Sequence, residues 1–187
     1  PRQDQIVGIL GPNGIGKSTA INLLSGAFRP NLGDWANPSP EWEQVISTFP
    51  RGELRDYLAL VSEGEVSIAV KPQYIDKLPR IFEGEVNELL TRVDDREEID
   101  KYSELMGISH IIDRKLGDLS GGELQRVAIC ATLLKEADVY FFDEPSSYLD
   151  IYERMRMVGV VRQLTERGKR VLVVEHDLAI LDVLCDL

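Results

Sequence analysis

Directly after the apolar run IVGIL, the stretch GPNGIGKSTA (residues 11–20) brings together glycines, a lysine and two hydroxyls. Gly11, Gly16, Lys17 and Ser18 satisfy the spacing G-x-x-x-x-G-K-[ST], with a strand-like run before it and a helical pattern after it. Glycines at these points let several backbone N–H groups aim at one anion, and the start of the following helix adds partial positive charge. In such a loop the lysine meets the β and γ phosphates of a nucleotide, and the serine hydroxyl is offered to Mg2+.

A second chemical group closes the run VYFFDEP. An apolar strand that ends in Asp143 sets a carboxylate at the carboxyl edge of the sheet, where open α/β folds bind their ligands. Asp143 is placed to hold the hydrated Mg2+, and Glu144, one residue on, to polarise an attacking water. His176 follows VLVVE and falls at the end of another such strand, where a neutral imidazole can contact the γ-phosphate. His110 has no such context and reads as a loop residue. In LSGGELQRVAI, Ser120 and Glu123 form a capping box that starts a helix. Gly121 and Gly122 leave that helix's first N–H groups uncovered; they weaken the helix and are expected to do nothing for its packing. The chain therefore carries two anion-binding helix starts but one acidic pair, more than a single nucleotide requires.

These side chains need a scaffold that brings distant strand ends to one rim. The runs at 6–10, 139–143 and 171–175 are nearly continuous in apolar residues, as parallel strands covered on both faces require. Helical patterns follow at KSTAINLLSGA, YERMRMVGVVRQLTERG and LAILDVL, which points to a doubly wound α/β sheet. Residues 34–66 open as a loop and then give two short amphipathic patterns broken at Phe49, Pro50, Arg51 and Gly52, a helix-loop-helix. The stretch from about 83 to 113 is helical, rich in Asp and Glu, and without a strand signal.

The bulk properties exclude several classes. With 187 residues and 43% hydrophobic content, one sizeable α/β domain is expected. A formal charge of −11 argues against electrostatic coating of nucleic acid, so any anion site is local, and no sequence-specific DNA binding is expected. Cys130 and Cys185 form no CxxC pair, which fits a reducing, cytoplasmic setting without zinc. Apolar runs of about five residues fall far short of the roughly 20 a membrane helix needs, so no membrane association is expected. Pro1 at the start and AILDVLCDL at the end, without cap or stop signal, read as the cut ends of a longer protein.

In order and spacing, GPNGIGKST, LSGGELQR, YFFDEP, SSYLD and VEHD resemble the nucleotide-binding domain of an ABC-type ATPase over nearly the whole chain. The resemblance implies a P-loop NTPase fold: a largely parallel sheet flanked by helices, with a helical lobe and an insert. It divides the chain into a core lobe at 1–72 and 137–187, a helix-loop-helix insert at about 38–64, and a helical lobe at about 73–136. It implies a nucleotide-binding set of Asn13, Gly14, Gly16, Lys17, Ser18 and Thr19, metal contacts from Ser18, Gln73 and Asp143, and catalytic roles for Glu144, His176 and Lys17. Two such domains face each other head to tail, so Ser120, Gly121, Gly122 and Glu123 would act on ATP held by a partner domain, with Asp150 at the interface. The family's adenine-stacking aromatic would lie upstream of the first strand.

Gln73 and Ser120 are too close in sequence for the coiled-coil insertion of genome-maintenance ATPases. Two readings stay open: the ATPase subunit of a membrane transporter, and a soluble twin ATPase of translation. STFPRGELRDYL in the insert, with FRPNLGDW, KPQYID, DEPSSYLDI and VVEHDLAILD, resembles the first nucleotide-binding domain of the archaeal-type subfamily E ATPases, the ribosome-recycling or RNase L inhibitor family. That family reads Arg-Gly directly after the insert's Phe, whereas Pro50 and Arg51 follow Phe49 here. The resemblance implies ATP and Mg2+ as ligands, iron-sulfur clusters in a further N-terminal domain, and, as partners, a second nucleotide-binding domain, the small ribosomal subunit and a release-factor-like protein. Contact with the ribosome is expected through a restricted patch such as Arg51 and Arg55.

Overall fold

The computed structural model describes residues 5–12, 14–34, 36 and 40–185. Among them, four parallel strands form one sheet in the order β1-β4-β3-β2: β1 (Ile6–Ile9), β2 (Ile68–Lys71), β3 (Val139–Asp143) and β4 (Arg170–Val174). The register matters for function. Asp143 lies opposite Val174 and Val174 opposite Ile9, so β1, β3 and β4 end level, while β2 ends one residue short, with Lys71 opposite Phe142. The residues that follow each strand are thereby delivered to one rim.

Successive strand residues point to opposite faces, and both faces are covered. On one, Tyr140, Phe142, Val171 and Val173 join a core with the helices α5 (Val86–Val93), α6 (Ile99–Met106), α7 (Gly121–Leu134), α8 (Ile151–Glu166) and α9 (Leu178–Leu184). On the other, Val139, Phe141, Leu172 and Val174 pack with Ile21 of α1 (Lys17–Leu24). Each such large apolar side chain contributes about 2 kcal/mol by leaving water. All five residues of β3 are buried, as the unbroken apolar run predicted.

Strand β2 is a finding that the apolar pattern did not announce. Its four residues IAVK are too few and end in a lysine; as an edge strand bonded only to β3, it is half-buried in alternation. The insert forms as expected, with α2 (Trp42–Ser47) and α3 (Glu53–Glu63) separated at Phe49–Gly52. Tyr57 ties α3 to the core by donating its hydroxyl to the carbonyl of Leu24 at 2.8 Å. A short α4 (Leu78–Ile81) follows β2. Glu98, just before α6, accepts from both terminal nitrogens of Arg167 at 3.1 Å and from Lys101 at 2.6 Å, fastening α6 to the end of α8. Those hydrogen bonds, Arg167 first, hold the Glu98 carboxyl down at about 2. No described helix is long and apolar enough to cross a membrane.

Candidate active site

The loop between β1 and α1 turns where its glycines allow. Gly14 has φ 83° and Gly16, the N-cap of α1, has φ 98°, left-handed values that strain any side chain bearing a Cβ. Neither glycine has another atom where its Cβ would be, so the backbone faces open space, as a phosphate cradle must. Lys17 is almost wholly buried; its ammonium donates to the carbonyls of Gly11 at 2.7 Å and Pro12 at 3.0 Å, which hold it inside the loop. Thr19 is exposed on the first turn of α1, and Asn13 lies outside the described residues.

Gly14, Gly16, Lys17, Ser18 and Thr19 line a cleft of about 430 Å³, closed on the other side by Gln73, Tyr74 and Glu144. Ser18 stands beside Asp143, where its hydroxyl works to lower the carboxyl's pKa. Burial pushes the Asp143 carboxyl above its ordinary range, and its Oδ1 is buried with no hydrogen-bond partner. An all-oxygen pair with an orphaned carboxylate oxygen suits a hard divalent cation such as Mg2+, which takes its remaining ligands from phosphate and water. Among the described residues, no cluster of three or more His, Cys, Asp or Glu could hold a metal alone.

Gln73 joins the other carboxylate. Its Nε2 donates to Oε1 of Glu144 at 2.9 Å, and His176 Nε2 lies 2.6 Å from the same oxygen. Strand ends at β2, β3 and β4 thus meet in a Gln73–Glu144–His176 chain, while Ser18 and Asp143 form a separate pair. Glu144 is bent to this aim by a left-handed backbone, φ 48° in a non-glycine residue, with its N–H donated to the carbonyl of Val174 at 2.8 Å.

Several residues of this rim escaped the motif reading. Lys71 is fully buried and donates to the carbonyls of Asp143 (3.0 Å) and Glu144 (3.3 Å); burial pulls its ammonium down to about 8. Gln125 of α7, also fully buried, donates to the carbonyls of Glu144 and Pro145, each at 2.9 Å. Glu175 is buried and accepts from the N–H groups of Ser146 (2.7 Å) and His176 (3.2 Å). Tyr74 stands exposed at the mouth of the cleft. A lysine and a glutamate at the very ends of apolar strands were the available signals, since such ends are where buried charge is kept for a purpose.

The second helix start stands apart: Ser120, Gly121, Gly122 and Glu123 do not line this cleft. The capping box is present, with Ser120 Oγ accepting from Glu123 N–H at 3.3 Å and donating to the Glu123 carboxylate at 2.8 Å. Glu123 also accepts from Ser120 N–H and from Arg114, and the hydrogen bonds from Ser120 lower its pKa. The expectation that Gly121 and Gly122 do nothing for packing is corrected. A Cβ on Gly121 would lie 3.1 Å from the ring of Tyr148, and one on Gly122 would lie 3.0 Å from the Tyr148 carbonyl, so both glycines admit a close neighbour. Asp150 is exposed and caps α8, its carboxylate accepting from Glu153 N–H at 2.8 Å.

A glycine-rich turn into a helix, facing an acid-tipped central strand of a parallel sheet, defines a phosphate-binding-loop nucleotide domain. Residues 2–147 match the sequence family described as ABC transporter, and the chain belongs to that family. It is 46% identical over 186 residues to Protein Pixie of Drosophila melanogaster, a match covering all of this chain and 30% of that protein. Its fold superposes on the archaeal ribosome recycling factor aABCE1, solved in complex with the archaeal ribosomal stalk protein aP1. The TM-score is 0.93 and the identity 47%, over 99% of this chain and 35% of that one. Against a structure of ribosome-bound archaeal Pelota and ABCE1 the TM-score is 0.87 and the identity 48%, over 99% and 31%. The chain thus spans about a third of the length of these relatives.

Proposed function

We propose that this chain is the first ATP-binding and hydrolysing domain of a cytoplasmic twin ATPase that splits and recycles ribosomes. The observation that carries the catalytic part is the convergence of Lys17, Ser18, Asp143, Gln73, Glu144 and His176 on one rim while Ser120 stands outside the cleft. The similarity to recycling-factor structures over nearly the whole chain supports the ribosomal part.

In this reading the loop N–H groups and Lys17 hold the β and γ phosphates of ATP. Ser18, Asp143 and, through its amide oxygen, Gln73 would hold Mg2+, which would neutralise phosphate charge when bound. Glu144 takes a proton from water as its oxygen attacks the γ-phosphorus, and the bond from that phosphorus to the β–γ bridging oxygen breaks to give ADP and phosphate. His176 and Gln73 aim the Glu144 carboxylate. Ser120, Gly121, Gly122 and Glu123 serve ATP bound to a second nucleotide-binding domain placed head to tail, with Asp150 at that interface. Arg51, exposed, and Arg55, half-buried, offer a basic patch on the insert to the small ribosomal subunit. A release-factor-like protein is the further partner, and the iron-sulfur clusters belong to an N-terminal domain outside these residues.

The test uses the full-length protein with Glu144→Gln. We expect ATP affinity to be kept, turnover to fall by about a hundredfold or more, and co-sedimentation with small ribosomal subunits to persist with ATP. Wild-type turnover in that variant would remove Glu144 as the base. Failure of the wild type to co-sediment with a non-hydrolysable ATP analogue would remove the ribosomal assignment.

A further inference from the structure

Glu144 can act only if its strained turn holds still. Its backbone is left-handed, and the carbonyls along the bend, those of Asp143, Glu144 and Pro145, all accept hydrogen bonds from side chains. Two side chains from elsewhere in the fold receive them. Lys71 reaches up from the end of β2 to the carbonyls of Asp143 and Glu144, and Gln125 reaches across from α7 to those of Glu144 and Pro145. The Glu144 carbonyl accepts from both.

Each donor is costly to bury. An ammonium taken fully out of water is destabilising unless it meets compensating charge, and Lys71 has it in Asp143, Glu175 and Glu144. Gln125 leaves its own Oε1 without a partner in order to place its amide nitrogen. Packing alone would be served better by apolar residues of the same size. We infer that Lys71 and Gln125 are positioning residues for hydrolysis, a two-sided clamp on the carbonyls of the 143–145 turn that sets the Glu144 carboxylate against Gln73 and His176. Neither touches the cleft. Gln125 lies one turn into the helix that begins at Ser120, so the clamp also joins the catalytic turn to the element that would serve the partner's nucleotide.

This inference rests on the proposed ATPase activity, and the test separates the two. Lys71→Met and Gln125→Leu keep the size of each side chain and remove the donors. In the full-length protein, kcat per active site, counted by bound nucleotide, is measured beside the Kd for Mg-ATP. We expect kcat to fall by about a hundredfold in each variant, because small misplacement of a reacting group has that effect. Kd should move by no more than about threefold, since the phosphate cradle is made by other elements. Lys71→Arg, which keeps charge and donors, should recover most of the rate. A structural role only would lower the number of binding-competent molecules and leave kcat per site unchanged, and that result overturns the proposal. If one variant does not fold, the other decides it from the opposite side of the turn. A wild type without turnover would sink the ATPase reading instead.

Discussion

At the scale of single residues, the site divides its labour by distance from water. Asp143 is buried and keeps one oxygen without a hydrogen-bond partner, whereas Glu144, partly exposed, already spends one oxygen on Gln73 and His176. Lys17 turns its charge inward onto the carbonyls of Gly11 and Pro12. A phosphate would have to draw it from those neutral acceptors, and an ammonium bonds an anionic oxygen more strongly than a neutral carbonyl. Replacing Lys17 by Ala should weaken Mg-ATP binding by about a hundredfold, read by equilibrium titration of the full-length protein. An unchanged affinity would mean that the loop does not grip the triphosphate.

Among the elements, the fastenings between helices are what pH can loosen. Glu98 binds α6 to Arg167, and its folded pKa of about 2 lies below the ordinary 4.5. A depressed carboxylate lends stability that is present above 4.5 and lost as pH falls through about 2. The pair is partly exposed, so screening limits it to about 0.5 kcal/mol. Glu98→Gln should lower the urea midpoint slightly at pH 7, and the gap to wild type should narrow between pH 4.5 and 2. A gap that stays constant with pH would mean that the pair's charge contributes nothing. The same elements show what a linear reading can reach. β1, β3, β4 and the insert were legible because apolar runs and broken amphipathic patterns are local signals. β2 was not, because its place is set by pairing with β3 across about 70 residues of intervening chain. Ser18, Asp143, Glu144 and His176 could be placed from motif and strand end alone. The reach of Lys71 and Gln125 to the same turn depends on tertiary geometry that no spacing encodes.

For the whole molecule, Ser120 stands apart from the Lys17 cleft, and on the proposed two-domain reading turnover becomes a matter of concentration. If each nucleotide needs two domains, this domain alone should hydrolyse ATP weakly, with turnover per molecule rising as protein concentration rises. A rate per molecule that is flat across dilution would contradict shared sites. Tyr148, seated on Gly121 and Gly122, and Arg126, paired with Glu153 at 3.2 Å, bind the loop before α8 to the start of α7. Such a block has no slack between its two exposed corners, Ser120 and Asp150. A load on one corner therefore meets the other through packed side chains rather than through loose chain.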